Sequence, residues 1–172
     1  MSEHSIKQQT NLSEQLKSAM RYTCNMVYVV STGCEVIHRN AITITSFTVA
    51  SLAPASVIFC VNKISRFSES ITKENNFCIN IMPTHLENIA AICSETDIKR
   101  KFESNEWVYS NGLPYLASAN ANIFCVKNKI IESGTHFIIM GTVTKILSLG
   151  KAPPLLYHDR QYKTLFSKQI FK

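Results

Sequence analysis

The 172-residue chain has no Cys-x-x-Cys pair, no Gly-x-Gly-x-x-Gly loop and no long apolar run. Each absence excludes something. No apolar stretch approaches the roughly 18 to 20 residues a membrane-crossing helix needs, and the polar opening "MSEHSIKQQTNLSEQ" does not read as a secretory leader. The six cysteines, Cys24, Cys34, Cys60, Cys78, Cys93 and Cys125, stand far apart, with no histidine at zinc-ligand spacing. Several lie inside apolar runs such as "VIFCV" and "FCINI" and read as reduced thiols packed as small hydrophobes. A reducing cytosol, and hence a soluble cytoplasmic protein without a membrane partner, is expected. His4, His38, His85, His136 and His158 are scattered without a His-x-x-x-His pair, so no metal site is expected. Five glycines and five prolines among 45% hydrophobic residues leave ample core material and no signature of disorder. At this length one domain is expected, placed at 11–166 between a polar arm at 1–10 and a tail at 167–172.

Negative charge is also scarce: 12 acidic side chains face 18 lysines and arginines, a formal charge of +6. Clustered cations would attract phosphate backbones. The last fifteen residues hold Arg160, Lys163, Lys168 and Lys172 against Asp159, a net +3 that is half of the total. No other dense basic run appears, nor a helix-turn-helix, zinc-finger or RNA-recognition signature. A nucleic-acid partner is not expected, and a small anionic ligand suits this balance better.

What is present is a strand texture. "NMVYVVS", "EVIH", "AITITSF", "VIFCVN" and "FCINIM" are short β-branched or aromatic runs divided by turn residues. "NIFCVKNKIIES" and "THFIIMGTVTKILS", joined at Gly134, predict a long hairpin. "EWVYS" and "PLLYHDRQYKTLF" add further strands. Three helices are predicted: "NLSEQLKSAMRY" with Asn11 as cap, "SRFSESITKEN", and "PTHLENIAAICS", where Thr84 and Glu87 have capping-box spacing. Seven or eight strands with peripheral helices predict a mainly β (α+β) fold, an antiparallel barrel closed so that no edge is exposed. The order is not βαβαβ, which disfavours a doubly wound dinucleotide fold.

One strand is unusual. "AITITSFTVAS" carries Thr43, Thr45, Ser46, Thr48 and Ser51. Extended throughout, it would put Thr43 and Thr45 on one face and Ile42, Ile44 and Ser46 on the other. Such a row suits either a half-exposed strand or a polar ligand.

This stretch resembles the short-chain flavin reductase family, the reductase components of two-component flavin-dependent monooxygenases. The likeness runs through Ala41-Ile42-Thr43-Ile44-Thr45-Ser46-Phe47, Ser51-Leu52-Ala53-Pro54-Ala55 and "VIFCVNKIS". It continues through "FCINIM", "KFESNEW", "NIFCVKNKIIESGTHFIIMGTV" and "PLLYHDRQY", covering about residues 17 to 165 in order. The resemblance implies a split β-barrel homodimer that binds FMN or FAD and reduces it with NADH or NADPH, supplying reduced flavin to an oxygenase partner. It also leaves open a flavin-binding electron carrier or sensor without nicotinamide turnover.

Carried over by the resemblance, Arg39, Asn40, Ala41, Thr43, Thr45 and Ser46 line the flavin, and Ser51 sits near the ring. Cys60, Val61 and Asn62 form the next wall, with Lys63, Ser65, Arg66 and Phe67 toward the phosphate. His136 takes the place of the family's catalytic histidine, in a positioning role beside the nicotinamide. Hydroxyls and amides match a phosphate, a polyhydroxyl chain and a ring edge of alternating donors and acceptors. Five residues depart from the family pattern: Thr135 replaces an aspartate, Ala41 and Arg160 replace glycines, and Ala53 and Ala55 of Ala53-Pro54-Ala55 replace the Asp and last Pro of Asp-Pro-Pro.

Overall fold

The computed structural model describes residues 3–34, 38–148 and 150–165. Helix α1 (Glu3–Met20) leads into β1 (Asn25–Met26), β2 (Tyr28–Thr32), β3 (Asn40–Ile44), β4 (Thr48–Leu52) and β5 (Ala55–Asn62). Then come α2 (Arg66–Lys73), β6 (Asn76–Ile81), a 3-10 turn (Thr84–Leu86), α3 (Glu87–Cys93) and α4 (Ile98–Lys101). The chain ends through β7 (Trp107–Ser110), β8 (Leu113–Leu116), β9 (Ala121–Ser133), β10 (His136–Ser148), β11 (Leu155–His158) and β12 (Gln161–Thr164).

Seven of these strands form one antiparallel sheet in the order β3-β2-β6-β9-β10-β5-β4, flanked by a three-stranded sheet β1-β11-β12 and the hairpin β7-β8. The mainly β, split-barrel class is therefore as expected, but closure is not achieved by strand pairing. β3 and β4 end the large sheet and do not pair with each other. Helices cover the β3 edge instead. Thr43 donates its hydroxyl to the Ala90 carbonyl of α3 at 2.5 Å. The Lys101 ammonium of α4 donates to the Ala41 carbonyl at 2.7 Å. The Ala41 carbonyl, an acceptor on this edge, is thus satisfied by a side chain, and the Thr43 hydroxyl ties the edge to α3.

Alternation explains the core. β5 buries Val57, Phe59 and Val61, which pack with Phe67 and Ile71 of α2, Phe77 and Ile79 of β6 and Ile139 of β10. Phe59 meets Phe77 edge to face at 5.3 Å between centroids, and each such buried ring is worth about 1.5 to 3 kcal/mol. A second cluster, including Val27, Met82, Ala90, Cys93, Trp107 and Leu155, lies under α3 and α4. Three cysteines are buried as expected, Cys78, Cys93 and Cys125; Cys60 is half-buried, and Cys24 and Cys34 are exposed.

The hairpin at Gly134 forms as predicted between β9 and β10. The helix starts differ. α1 begins at Glu3, so Asn11 lies inside the helix, where its side-chain oxygen accepts from Gln15 at 3.0 Å. Thr84 does not build a capping box; its hydroxyl donates to the Pro153 carbonyl at 2.9 Å, because the chain turns through a 3-10 segment before α3. The predicted strand at "EVIH" falls on 35–37, outside the described residues, and so do 166–172 of the predicted tail. No described helix is long and apolar enough to cross a membrane.

Candidate functional site

A cleft of about 590 Å³ opens between β3, β5, the start of β10 and the β11–β12 hairpin, within the range of roughly 300 to 1,000 Å³ usual for small-molecule sites. Three segments far apart in sequence meet there: Ile42 to Ser46, Cys60 to Asn62, and His136. Pairing explains the meeting, because His136 lies opposite Asn62 in the β5–β10 ladder.

The consecutive run from Ile42 to Ser46 lines the cleft because β3 stops at Ile44. The strict two-faced alternation expected for "AITITSF" therefore ends before Thr45. Ser46 then takes over a strand's role. Its hydroxyl accepts from the Cys60 amide at 3.0 Å and donates to the Cys60 carbonyl at 3.1 Å. This stitch extends the β5 edge just beyond the point where β4 pairing ends, at Thr48 opposite Ile58.

Most hydroxyls of this stretch are already engaged. Thr43 is spent on α3, Ser46 on β5, and Ser51 accepts from the Ala53 amide at 3.1 Å. Neither Thr45 nor Thr48 has a side-chain hydrogen-bond partner among the described residues, and of the two Thr45 alone lines the cleft. It is exposed at the cleft.

His136 is exposed, and its Nδ1 lies 2.9 Å from the Thr135 hydroxyl. Its Nε2 is left for a ligand. Tyr157 and Tyr162 form the facing wall, stacked edge to face at 5.5 Å between centroids and paired across β11–β12. Burial pushes the Tyr162 phenol above its usual pKa, so it remains a hydrogen-bond donor. Arg160 is the one lysine, arginine or acidic residue lining the cleft among the described residues.

Residues 20–165 match the family described as Flavin reductase like domain. The chain belongs to that family. One relative is the reductase subunit HsaB of a flavin-dependent monooxygenase from Rhodococcus jostii, 30% identical over 118 residues, 68% of this chain and 60% of that subunit. Another is the reductase component of an FADH(2)-dependent resorcinol hydroxylase from a Rhizobium species, 27% identical over 81% of this chain and 78% of the relative. The matches thus span 60 to 64% of the length of the HsaB subunits. Among solved structures, the Streptomyces globisporus NADH:FAD oxidoreductase SgcE6 shares the fold with a TM-score of 0.83 at 23% identity, covering 91% of this chain and 94% of that one. Flavin reductase HpaC, solved with NADP+, gives 0.81 at 25% identity over 89% and 97%.

Within this flavin reductase-like frame, the cleft gathers Thr43, Thr45, Ser46, Cys60, Val61, Asn62 and His136. The other expected residues lie elsewhere, Ser51 on β4 among them. Arg39 turns away, its guanidinium 4.5 Å from the Phe102 centroid and hydrogen-bonded to the Tyr109 hydroxyl. Asn40 is buried, donating to the Arg66 carbonyl at 3.2 Å and the Ser70 hydroxyl at 3.0 Å. Ala41 is wholly buried. Lys63 pairs with Glu132 at 2.7 Å. Ser65 caps α2, accepting from the Ser68 amide at 3.1 Å. Phe67 is core, and Arg66 is exposed on the first turn of α2.

Sequence reasoning did not place Val27, Ile44, Ala91, Ser94, Tyr157 or Tyr162 in the site, although all line it. For the tyrosines a signal existed: in "YHDRQY" a two-residue turn puts both directly across from each other on one face. For Val27, Ala91 and Ser94 no local pattern distinguishes a cleft wall from the core.

Proposed function

We propose that the chain is an NAD(P)H:flavin oxidoreductase that reduces FMN or FAD in the 590 Å³ cleft and hands reduced flavin to an oxygenase. The carrying observation is the convergence of Thr45, Ser46, Asn62 and His136 on one cavity with an apolar floor of Val27, Ile42 and Val61. That donor set fits a flat ring with a polar edge: apolar side chains take its face, and hydroxyl and amide groups take its rim. Bound there, flavin would supply the hydride acceptor and later the reductant for oxygen chemistry elsewhere.

The protein's own contribution is placement. A hydride transfer between two bound rings would depend on their alignment more than on an acid or base, so the residues act by placing the ligands. Ser46 fixes the turn against β5 and leaves Thr45 open to a ligand. Thr135 occupies Nδ1 of His136, which turns Nε2 into the nitrogen available to a carboxamide. Tyr157 and Tyr162 form the far wall against which a flat ring can pack.

The working unit is a homodimer in this reading. β4 is an uncharged edge strand without a second neighbour among the described residues, with Val49 53% and Leu52 85% exposed. Such an edge invites pairing or burial by another chain, and a second copy is the occupant expected of this family.

The test is absorbance at 340 nm with purified protein, each nicotinamide nucleotide and each flavin. Sustained oxidation on adding free flavin supports the reading. A bound yellow chromophore without oxidation would replace it with an electron carrier or sensor, and neither signal would remove flavin altogether. Light scattering at twice the chain mass tests the dimer; a monomer that turns over fully would refute it.

A further inference from the structure

A second groove, about 410 Å³, runs between the C-terminal end of α1 and the β11–β12 hairpin. Tyr157 and Arg160 line both this groove and the main cleft, so the hairpin is a shared wall between them. We propose that this groove holds the adenosine diphosphate moiety of a dinucleotide whose reactive ring lies in the main cleft, with its phosphates at Arg160; the inference rests on the reductase reading above.

The groove's chemistry has two parts. Leu16 and Met20 of α1 are 63% and 52% exposed there, an apolar surface on which a flat purine can lie. Arg21 and Arg160 supply guanidinium groups that form no ion pair among the described residues. Two free guanidinium groups suit a diphosphate, which accepts forked, charge-assisted hydrogen bonds. Lys17 is engaged with Glu14 at 2.7 Å, and two negative charges, Asp159 and a Glu14 carboxylate near enough to feel Arg160, are set against the cations.

The walls are tied together. The Asp159 amide donates to the Arg21 carbonyl at 3.3 Å, and Nδ1 of His158 lies 3.2 Å from the Thr23 carbonyl. The carbonyls ending α1 do not counter the cations freely. Ser18, Ala19 and Met20 accept from the amides of Arg21, Tyr22 and Thr23, and the Thr23 hydroxyl also bonds to Met20. A mononucleotide in the main cleft has nothing with which to fill this groove. A dinucleotide does.

The adenosine diphosphate moiety can come from FAD or from the nicotinamide nucleotide, and paired ligands separate them. Calorimetry is run on the full chain with ADP alone, FAD against FMN, and NADH against reduced nicotinamide mononucleotide. ADP is expected to bind, and one dinucleotide is expected to bind about tenfold tighter than its own mononucleotide, a factor in keeping with one charge-assisted contact. The pair showing the gap names the source. Arg160→Gly and, separately, Arg21→Glu should each cut ADP affinity and shrink that ratio. Absence of ADP binding together with equal affinities in both pairs overturns the proposal. So does ADP binding that neither variant alters. FMN reduced normally under those results would leave the reductase reading intact, whereas ADP bound in the groove of a protein that ignores FMN would sink that reading alone.

Discussion

The Thr135 hydroxyl lies 2.9 Å from Nδ1 of His136, at the first residue of β10 and opposite Asn62. Where the family carries an aspartate, this chain uses a neutral group to hold the imidazole. A neutral hydrogen bond contributes about 0.5 to 1.5 kcal/mol. Thr135→Val should therefore raise the KM for the nicotinamide nucleotide roughly fivefold, with kcat changed much less, and Thr135→Ser should restore it. A Val variant with unaltered KM would show that the imidazole is oriented by something else.

Ser46 is the hydroxyl whose removal should affect fold and ligand together. It satisfies both the amide and the carbonyl of Cys60 at a point where no strand does so. Ser46→Ala leaves those groups to water, at a cost of about 1 kcal/mol in stability. The turn carrying Thr45 also loses its anchor. Flavin affinity should fall several-fold, while Thr45→Val should weaken flavin with little change in stability, because Thr45 has no protein partner among the described residues. Denaturant melts and flavin titrations on the two variants check the contrast.

Much of this was legible from the residues. The β9–β10 hairpin could be read at Gly134 because alternation ran unbroken on both sides of it. The chemistry of "ITITS" was legible too, though not which hydroxyl is free. That depends on Ala90 and Cys60, 47 and 14 positions away from their partners. Arg39 and Asn40 looked like ligand residues by position, but partners at Tyr109, Phe102 and Ser70 hold them elsewhere. The open seam was hidden for a similar reason. Nothing local says that Lys101 of α4 will satisfy the Ala41 carbonyl where a strand would otherwise lie.

Arg160 carries a conformational cost. Asp159 and Arg160 have φ of 44° and 62°, the two left-handed positions of the turn joining β11 to β12. Glycine occupies such a position without the steric penalty of a Cβ. Arg160→Gly should raise stability by about 1 kcal/mol even as it weakens binding of the adenosine diphosphate moiety. Thermal melts at low and high salt check this, and a destabilised variant would mean that the side chain itself braces the hairpin.

Alkaline instability should follow from the buried thiols. Burial pushes Cys93 and Cys125 up to about 12 from an ordinary 9.0, and Cys78 also rises. In the unfolded chain these thiols ionise from about pH 9, whereas in the folded chain they keep their protons. Their contribution is complete below that point and is lost progressively between about pH 9 and 12, by up to roughly 1.4 kcal/mol per pH unit for each thiol. Tyr28 and Tyr162, also raised by burial, act in the same direction at higher pH. Lys101 and Lys127, lowered by burial, act oppositely as pH approaches their ordinary 10.5. Three raised thiols outnumber the two lowered lysines, so the net trend above pH 9 should be a fall in stability. Urea midpoints from pH 8 to 11 should show this, with a shallower slope in Cys93→Ala.

Two glycines of the same hairpin separate conformational strain from steric overpacking. At Gly134 φ is +54° and an added Cβ would meet nothing within 4 Å, so alanine costs only the left-handed backbone, about 1 kcal/mol. At Gly141 the backbone is unexceptional, but a Cβ would lie 2.4 Å from Cζ and 2.6 Å from Cε1 of Phe77. That ring is fully buried and stacked on Phe59, so it cannot step aside without moving the core behind it. Overpacking of this kind costs about 1 to 3 kcal/mol. Gly141→Ala should therefore destabilise more than Gly134→Ala, and Phe77→Leu should recover part of the loss in Gly141→Ala while doing nothing for Gly134→Ala. Equal losses at both sites, or no recovery with leucine, would show that the close approach of β10 to β6 is not what demands glycine there.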